Sequence, residues 1–228
     1  MGLLLYKQQT GAFLSNSIQE QLRASLERWG SAQLIVPSSD TVLLVKRQLG
    51  AIQELSVGVN VSTFDEWKRD QWKLYGSSDR LLSNTLRKVF FQQILDGMSD
   101  DELGTLNNSK GTVELLSKLA PEYLIELDQI MASGQLSAGQ MSACKILERY
   151  KMLLEEKSYV EMCQCLDYLL QSIPAQGPAL VFSRVEDLSE TRLKFVRRLS
   201  QKWDVVFSLY VPEGPAGYAA EQQLELLG

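Results

Sequence analysis

The sequence predicts an α/β protein in which a parallel sheet covered by helices is interrupted by a long helical insertion. Short apolar runs have the length and composition of strands buried on both faces, and segments with helical periodicity separate them. A much longer stretch of helical periodicity lies between the third and fourth runs. The predicted strands cover residues 3–6, 33–36, 57–61, 179–183 and 204–211.

The order of these elements indicates the sheet type. Helices predicted at 17–29 and 40–49 separate the first three strands and give the order β-α-β-α-β. A helix predicted at 190–203 separates the last two strands, with Ser189 as its N-cap. A strand covered by helices on both faces is apolar throughout, so we expect all five strands to be buried.

The insertion begins at a capping box. Thr63 and Glu66 have the spacing at which each side chain binds the other's backbone N–H, so a helix is expected from there to about residue 74. Pro121 is expected in the first turn of its helix, where its missing N–H has no intrahelical partner. Further helices are predicted at 83–95, 111–119, 121–132, 137–156 and 159–173.

The predicted domains follow from this layout. Residues 1–63 and 177–228 form the α/β domain, and residues 64–176 form the helical insertion. A helix begins within 215–228 and stops where the chain stops, so we expect a fragment of a longer protein whose sheet continues.

Composition excludes several classes of function. The 228 residues carry a net charge of −5 and contain 45% apolar residues, with no run near the roughly 20 residues that span a bilayer and no signal peptide. We therefore expect a cytoplasmic protein without a membrane partner. There is no histidine, which excludes Ser-His-Asp and Cys-His catalysis within this chain. The three cysteines lack metal-ligand spacing, so no metal site is predicted.

The connection between the first strand and the first helix lies where P-loop ATPases bind phosphate. A working loop has the pattern G-x-x-x-x-G-K-[ST], whose glycines admit the phosphates, whose lysine reaches their oxygens and whose hydroxyl binds Mg²⁺. Here Gly11 is the only glycine, and no Gly-Lys-Ser/Thr follows it. Lys7 precedes the glycine, while Ser15 and Ser17 are the hydroxyl candidates. The loop is predicted to be degenerate.

Four stretches together resemble a known family. They are the first strand with its loop, Leu-Ile-Val-Pro-Ser-Ser at 34–39, Val-Ser-Thr-Phe at 61–64, and the stretch at 180–189. Their order and spacing resemble the N-terminal region of the AddB/RexB-type subunit of bacterial ATP-dependent helicase-nucleases, relatives of superfamily 1 DNA helicases. The resemblance implies a RecA-like, P-loop-NTPase-like sheet (helicase domain 1A) and an all-helical insertion like subdomain 1B.

The last of these stretches is similar to the family's Walker B region. That region has an aspartate-glycine pair, an aromatic residue and a D-F-T-like turn into a helix. Asp187-Leu188-Ser189 matches the turn, but Ser183-Arg184 stands in place of the aspartate-glycine pair. The carboxylate that orients Mg²⁺ is therefore expected to be missing. Glu186 and Asp187 are candidates for a metal or acid-base role, or Asp187 or Ser189 caps the following helix.

Two basic clusters are candidates for contact with DNA. Basic side chains bind phosphates, and neighbouring aromatic rings stack on unpaired bases. A core position for the tryptophans and an ordinary solvated helix face explain the same pattern. The first cluster is Lys68, Arg69 and Lys73 beside Trp67 and Trp72, and the second is Lys194, Arg197, Arg198 and Lys202.

Three functional readings follow. The first is a non-catalytic, helicase-like scaffold or DNA-contacting element in double-strand-break processing and recombinational repair. The resemblance implies that a partner subunit supplies the motor. The second is an ATP-binding motor domain with a divergent phosphate loop, and the third is a structural protein-interaction module. The first reading expects no catalytic residue, no cofactor and no ATP or Mg²⁺ in residues 1–228.

Overall fold

The computed structural model describes residues 2–8, 12–185 and 188–211. The chain divides into two units, an α/β unit formed by Met1–Gln71 with Leu170–Gly228 and an inserted unit formed by Trp72–Leu169. The strands are β1 (Gly2–Gln8), β2 (Ala32–Ile35), β3 (Val59–Ser62), β4 (Arg80–Leu81), β5 (Tyr159–Val160), β6 (Leu180–Ser183) and β7 (Asp204–Tyr210). The helices are α1 (Asn16–Trp29), α2 (Ser39–Gly50), α3 (Phe64–Tyr75), α4 (Asn84–Asp96), α5 (Asp100–Leu103), α6 (Lys110–Tyr123), α7 (Leu127–Ala132), α8 (Ala138–Glu156), α9 (Met162–Ser172) and α10 (Glu190–Leu199).

The α/β unit is built on a five-stranded sheet in the order β1-β7-β6-β2-β3, and every neighbouring pair is parallel. The predicted fold class is therefore confirmed, and the sheet is consistent with a RecA-like α/β fold. β7 lies between β1 and β6, so the strand before the predicted phosphate loop and the strand before the Walker-B-like stretch are not neighbours.

The two faces of this sheet have different cores. On one face, Ile18 and Leu22 of α1 and Val45 of α2 belong to a fully buried aliphatic cluster with alternate strand residues. The buried Ser25 hydroxyl supports this packing, because it donates to the Ser31 carbonyl and accepts from the Ala179 N–H. These bonds satisfy a polar group inside an apolar layer, where an unpaired hydroxyl would be destabilising.

The other face is aromatic. Phe182 and Phe207, on neighbouring strands, stack with their ring centroids 4.2 Å apart. Phe64 of α3 meets Phe182 edge-on at 5.3 Å and lies 6.1 Å from Phe195 of α10. Trp67 completes the cluster and is 1% exposed. Helices α3 and α10 therefore lie on the same face of the sheet.

The prediction that every strand is buried is wrong for β1. Leu4 is 45% exposed and Leu5 is 37% exposed, although the two side chains point to opposite faces of the sheet. The cause is strand order, because β1 is an edge strand paired with β7 alone among the described strands.

The inserted unit has a mainly helical core to which α4, α6 and α8 contribute. It is not entirely helical, because Arg80 pairs with Tyr159 and Leu81 with Val160 in a short parallel ladder between β4 and β5. The expectation of an all-helical insertion is therefore wrong in this detail.

Pro121 does not begin a helix as predicted. It lies inside α6, where a proline removes the N–H that would bind the carbonyl four residues earlier. That carbonyl belongs to Ser117, and it accepts a hydrogen bond of 3.4 Å from the Arg87 guanidinium of α4. A donor from a neighbouring helix thus replaces the bond that Pro121 removes.

The boundaries between the units also differ from the predicted 63/64 and 176/177. The part of α3 up to Gln71 stays with the α/β unit, because Phe64 and Trp67 pack on the aromatic face of that unit. The capping box that opens α3 forms as predicted: the Thr63 N–H donates to Glu66 at 2.9 Å and the Glu66 N–H to the Thr63 hydroxyl at 3.3 Å.

No helix among the described residues combines the length and hydropathy that a membrane span needs.

Candidate functional site

Several segments meet at the carboxyl end of the α/β sheet, the edge at which open parallel sheets bind ligands. The Ser183 hydroxyl, at the end of β6, donates a 2.7 Å hydrogen bond to the carbonyl of Phe13 in the segment that follows β1. Ser183 is fully buried. The predicted loop and the Walker-B-like stretch are therefore in contact, although β7 separates their strands.

Arg184 is the distinctive residue of this edge. Its backbone has φ of +56°, in the left-handed region that only glycine adopts without strain, and its N–H donates to the Ser208 carbonyl at 2.8 Å. Its guanidinium carbon lies 4.8 Å from the ring centroid of Phe13 and 5.6 Å from that of Tyr210. Both distances allow cation–π attraction. The carboxyl edge of the sheet therefore holds a cation directly after Ser183, the residue that stands in place of the aspartate in the Walker-B-like stretch.

Sequence reasoning placed Arg184 in the altered pair but did not predict this arrangement. Phe13 and Tyr210 are far from Arg184 in sequence, and neither is a residue by which the phosphate-loop or Walker B pattern is recognised. The available signal was the resemblance itself, which has a glycine at the position of Arg184. A family glycine suggests a left-handed backbone, and a residue in that conformation directs its side chain unlike a regular strand residue.

Lys7, Ser15 and Ser17 are the candidates from the predicted loop that the structure describes. Lys7 lies exposed on β1. Ser15 occupies the N-cap position of α1, and its hydroxyl lies 3.1 Å from that of Ser17. Gly11, Glu186 and Asp187 lie outside the described residues.

Lys68 is not a surface cation, so its predicted contact with DNA needs correction. It is 3% exposed, its ammonium pairs with Asp65 at 2.7 Å, and it lies 5.0 Å from the Phe64 ring centroid. Burial raises the pKa of Asp65, but the positive charges of Lys68, Arg192 and Arg69 together lower it by more. The pKa of Asp65 therefore lies below its ordinary value. Lys68 therefore forms an ion pair with Asp65 and is not part of the surface that could contact DNA.

The tryptophans are also core residues, which removes them as platforms for bases. Trp67 meets Trp203 edge-on at 6.1 Å, within the aromatic face. Trp72 is 6% exposed, and its indole N–H donates to the Asp79 carbonyl at 3.0 Å. The core interpretation, left open by the sequence, is therefore correct for both side chains.

Exposed arginines remain on the α/β unit. Arg69 of α3 and Arg197 and Arg198 of α10 are exposed. The two helices are neighbours, since Arg192 of α10 pairs with Asp65 of α3 at 3.1 Å. Lys73 is exposed too, but it belongs to the inserted unit.

The exposed arginines of α3 and α10 can bind anions, but the described residues offer little other chemistry. Exposed guanidinium groups bind phosphates through charge and paired hydrogen bonds. No group of three or more acidic or cysteine side chains suited to a metal ion occurs in the part of the chain that the structure describes. Lys202, which belongs to the second predicted basic cluster, donates a hydrogen bond from its ammonium group to the Leu170 carbonyl.

Comparison with known proteins adds no identification. No protein-family model matches the chain, and no curated protein matches it.

Proposed function

We propose that this chain is a non-catalytic, helicase-like region of a helicase-nuclease subunit, acting in the cytoplasm in double-strand-break processing and recombinational DNA repair. Within such an assembly it would contact DNA and serve as a scaffold, while a partner subunit supplies the active motor. The observation that carries this proposal is the position of Arg184, where the resemblance expects part of the aspartate-glycine pair.

The backbone of Arg184 supports the resemblance itself. The family has glycine at this place, and the chain keeps a φ of +56° that glycine favours although the residue is now arginine. A left-handed arginine carries strain of about 1–2 kcal/mol, which a glycine at this position would not carry.

The same residue argues against ATP hydrolysis. Phosphoryl transfer depends on Mg²⁺ held by a Walker B carboxylate and on a lysine that neutralises the phosphates. Ser183 stands in place of the aspartate and its hydroxyl donates a hydrogen bond to the Phe13 carbonyl, while Arg184 adds a cation to the same edge. The pair therefore supplies no carboxylate to hold Mg²⁺, and the edge would lack a main contributor to catalysis.

Contact with DNA is supported by the exposed arginines of α3 and α10. The chain as a whole is acidic, with net charge −5, so binding would depend on this local surface and would be weak at high salt. Since both tryptophans are buried, phosphates rather than bases are the expected contacts.

The experiment is a fluorescence-anisotropy titration of labelled oligo(dT) at several salt concentrations. We expect R197A/R198A to weaken binding about tenfold at low salt and to reduce the salt slope by about 0.7 for each lost phosphate contact. The matched control is K46A/R47A, which removes two exposed cations from α2. Absence of binding by the wild-type chain, or equal losses in both double variants, would contradict the DNA role.

A further inference from the structure

Among the strands that the structure describes, β1 lies at an edge of the sheet and has no strand partner on its outer side. β1 pairs with β7 over its whole length, from Gly2 with Asp204 to Gln8 with Tyr210, and no other described strand pairs with it. In a parallel ladder the backbone groups of an edge strand that point away from its neighbour have no strand partner. Such a row of donors and acceptors is complementary to another extended strand.

The side chains of β1 do not protect this edge. Tyr6 packs on the aliphatic face, so by alternation Leu4 points to that face and Leu5 to the aromatic face. Both leucines are more than one-third exposed, at 45% and 37%. Proteins commonly protect an open edge with proline, a bulge or several charges, whereas β1 has only Lys7 as a charged residue.

The opposite edge of the same sheet differs. β3 has four residues against the seven of β1. Its central Asn60 is exposed and polar, and its side-chain amide donates to Gln33 of β2 at 3.1 Å. A short polar edge is a weak template for strand addition.

We infer that the outer edge of β1 pairs antiparallel with β1 of a second copy of this chain, so that two five-stranded sheets join across a two-fold axis. The sequence of β1 is self-complementary in this arrangement. With Leu5 opposite Leu5, Leu4 lies opposite Tyr6 and Leu3 opposite Lys7. No like charges face each other, and the exposed leucines of both copies cover one another.

The small interface and the net charge of each copy determine how strongly the two copies associate. A single strand pair buries less area than a standard protein interface, so association should be weak and should depend on concentration. Each copy carries a net charge of −5, and added salt screens the repulsion between them. Dimerisation should therefore strengthen with salt, whereas DNA binding through arginines should weaken.

Sedimentation of the full chain from micromolar to near-millimolar concentration tests the inference. We expect a monomer-dimer equilibrium that L5K weakens at least tenfold, because two lysines would meet at the axis. The control is L43K, which changes a leucine of α2 that is 63% exposed. A wild-type chain that stays monomeric throughout, or equal weakening by L43K, would overturn the inference.

A cross-link tests the register without depending on the folding of L5K. Directly opposed residues in an antiparallel pair have Cα atoms about 4.5–5.5 Å apart, which suits a disulfide. Mild oxidation should therefore link L5C, but not L43C, into covalent dimers, and both variants keep the native cysteines. Dimers without an L5C cross-link would refute this pairing. R197A/R198A should dimerise normally, so failure of the DNA proposal remains distinguishable.

Discussion

Arg87 of the inserted unit and Arg184 of the α/β unit are two arginines whose charges are stabilised in different ways. The Arg87 guanidinium makes two hydrogen bonds to the Glu161 carboxylate, at 2.5 and 2.6 Å, and Glu161 is 1% exposed. The Arg184 guanidinium lies against the rings of Phe13 and Tyr210. A buried cation with a carboxylate partner forms an electrically neutral unit of the core, whereas Arg184 places its guanidinium beside two aromatic rings at the edge of the sheet.

The environment of Arg87 joins separate parts of the inserted unit. Tyr150 of α8 donates its hydroxyl to Glu161 at 2.5 Å. Burial opposes the charge of Arg87, but the bond to Glu161 raises the pKa of Arg87 above its ordinary value. Burial, followed by the charge of Glu161, raises the pKa of the Tyr150 hydroxyl far above its usual range. Arg87 thus belongs to a buried polar network that supports the fold of the inserted unit, whereas Arg184 packs on rings at the carboxyl edge of the α/β sheet.

The largest expected effect comes from removing the carboxylate of this network. E161Q would leave the Arg87 charge buried without its counterion, and we expect the free energy of unfolding to fall by about 3–5 kcal/mol. Urea denaturation measures the change. The control is E114Q, which removes the exposed Lys88–Glu114 pair and should leave the midpoint almost unchanged. If E161Q is no more destabilising than E114Q, the network does not support the fold.

A second prediction concerns Cys163, close to the same carboxylate. Burial, with a further contribution from the charge of Glu161, raises the pKa of its thiol to about 12. At pH 8 the folded chain would hold about a thousandfold less thiolate than an ordinary thiol, so alkylation by iodoacetamide should be slower by a similar factor. Peptide mapping gives the rate for Cys163, with the urea-unfolded chain as reference. Equal rates in the two states would refute the shift.

This shift also determines the sign of the pH dependence. Below pH 9 both the folded and the unfolded chain keep the Cys163 proton, so the group does not affect stability. Above pH 9 the unfolded chain loses that proton first, so the free energy of unfolding should fall as the pH rises toward 12. C163S should reduce the fall between pH 9 and 10, to which Cys144, whose thiol pKa is likewise raised by burial, also contributes.

A smaller effect tests the left-handed backbone of Arg184. R184G and R184A both lose the contacts with the two rings, but only glycine releases the strain of a positive φ. R184G should therefore be about 1 kcal/mol more stable than R184A in urea denaturation. Ser158 also has a left-handed backbone, with φ of +53°. The free energy of unfolding of S158G should therefore exceed that of S158A by a similar amount. R184A at least as stable as R184G would contradict a left-handed backbone at this position.

Local features of this fold were predictable from sequence, because they depend on residues a few positions apart. The capping box at Thr63 and Glu66 forms as the spacing predicts, and Ser189 occupies the N-cap position of α10, although its side chain accepts no capping bond. The parallel sheet was predictable as a class, since continuous apolar runs separated by helices have few alternatives.

Features that depend on distant pairings were missed. The exposure of β1 follows from strand order, which periodicity does not encode. Pro121 fits inside α6 because Arg87 comes from another helix to bind the freed carbonyl. Lys68 looks like a surface cation in sequence, but Asp65 and the ring of Phe64 hold it in the interior. At the candidate site, motif reasoning found Ser183 but not its bond to Phe13, or the rings beside Arg184.

The most direct test of the central claim is a titration of the full chain with a fluorescent ATP analogue and Mg²⁺, up to millimolar concentration. The altered carboxyl edge predicts no saturable binding by a chain whose circular dichroism shows it to be folded. Saturable, Mg²⁺-dependent binding that S17A and S183A both weaken would contradict the account, because the edge would then still bind nucleotide.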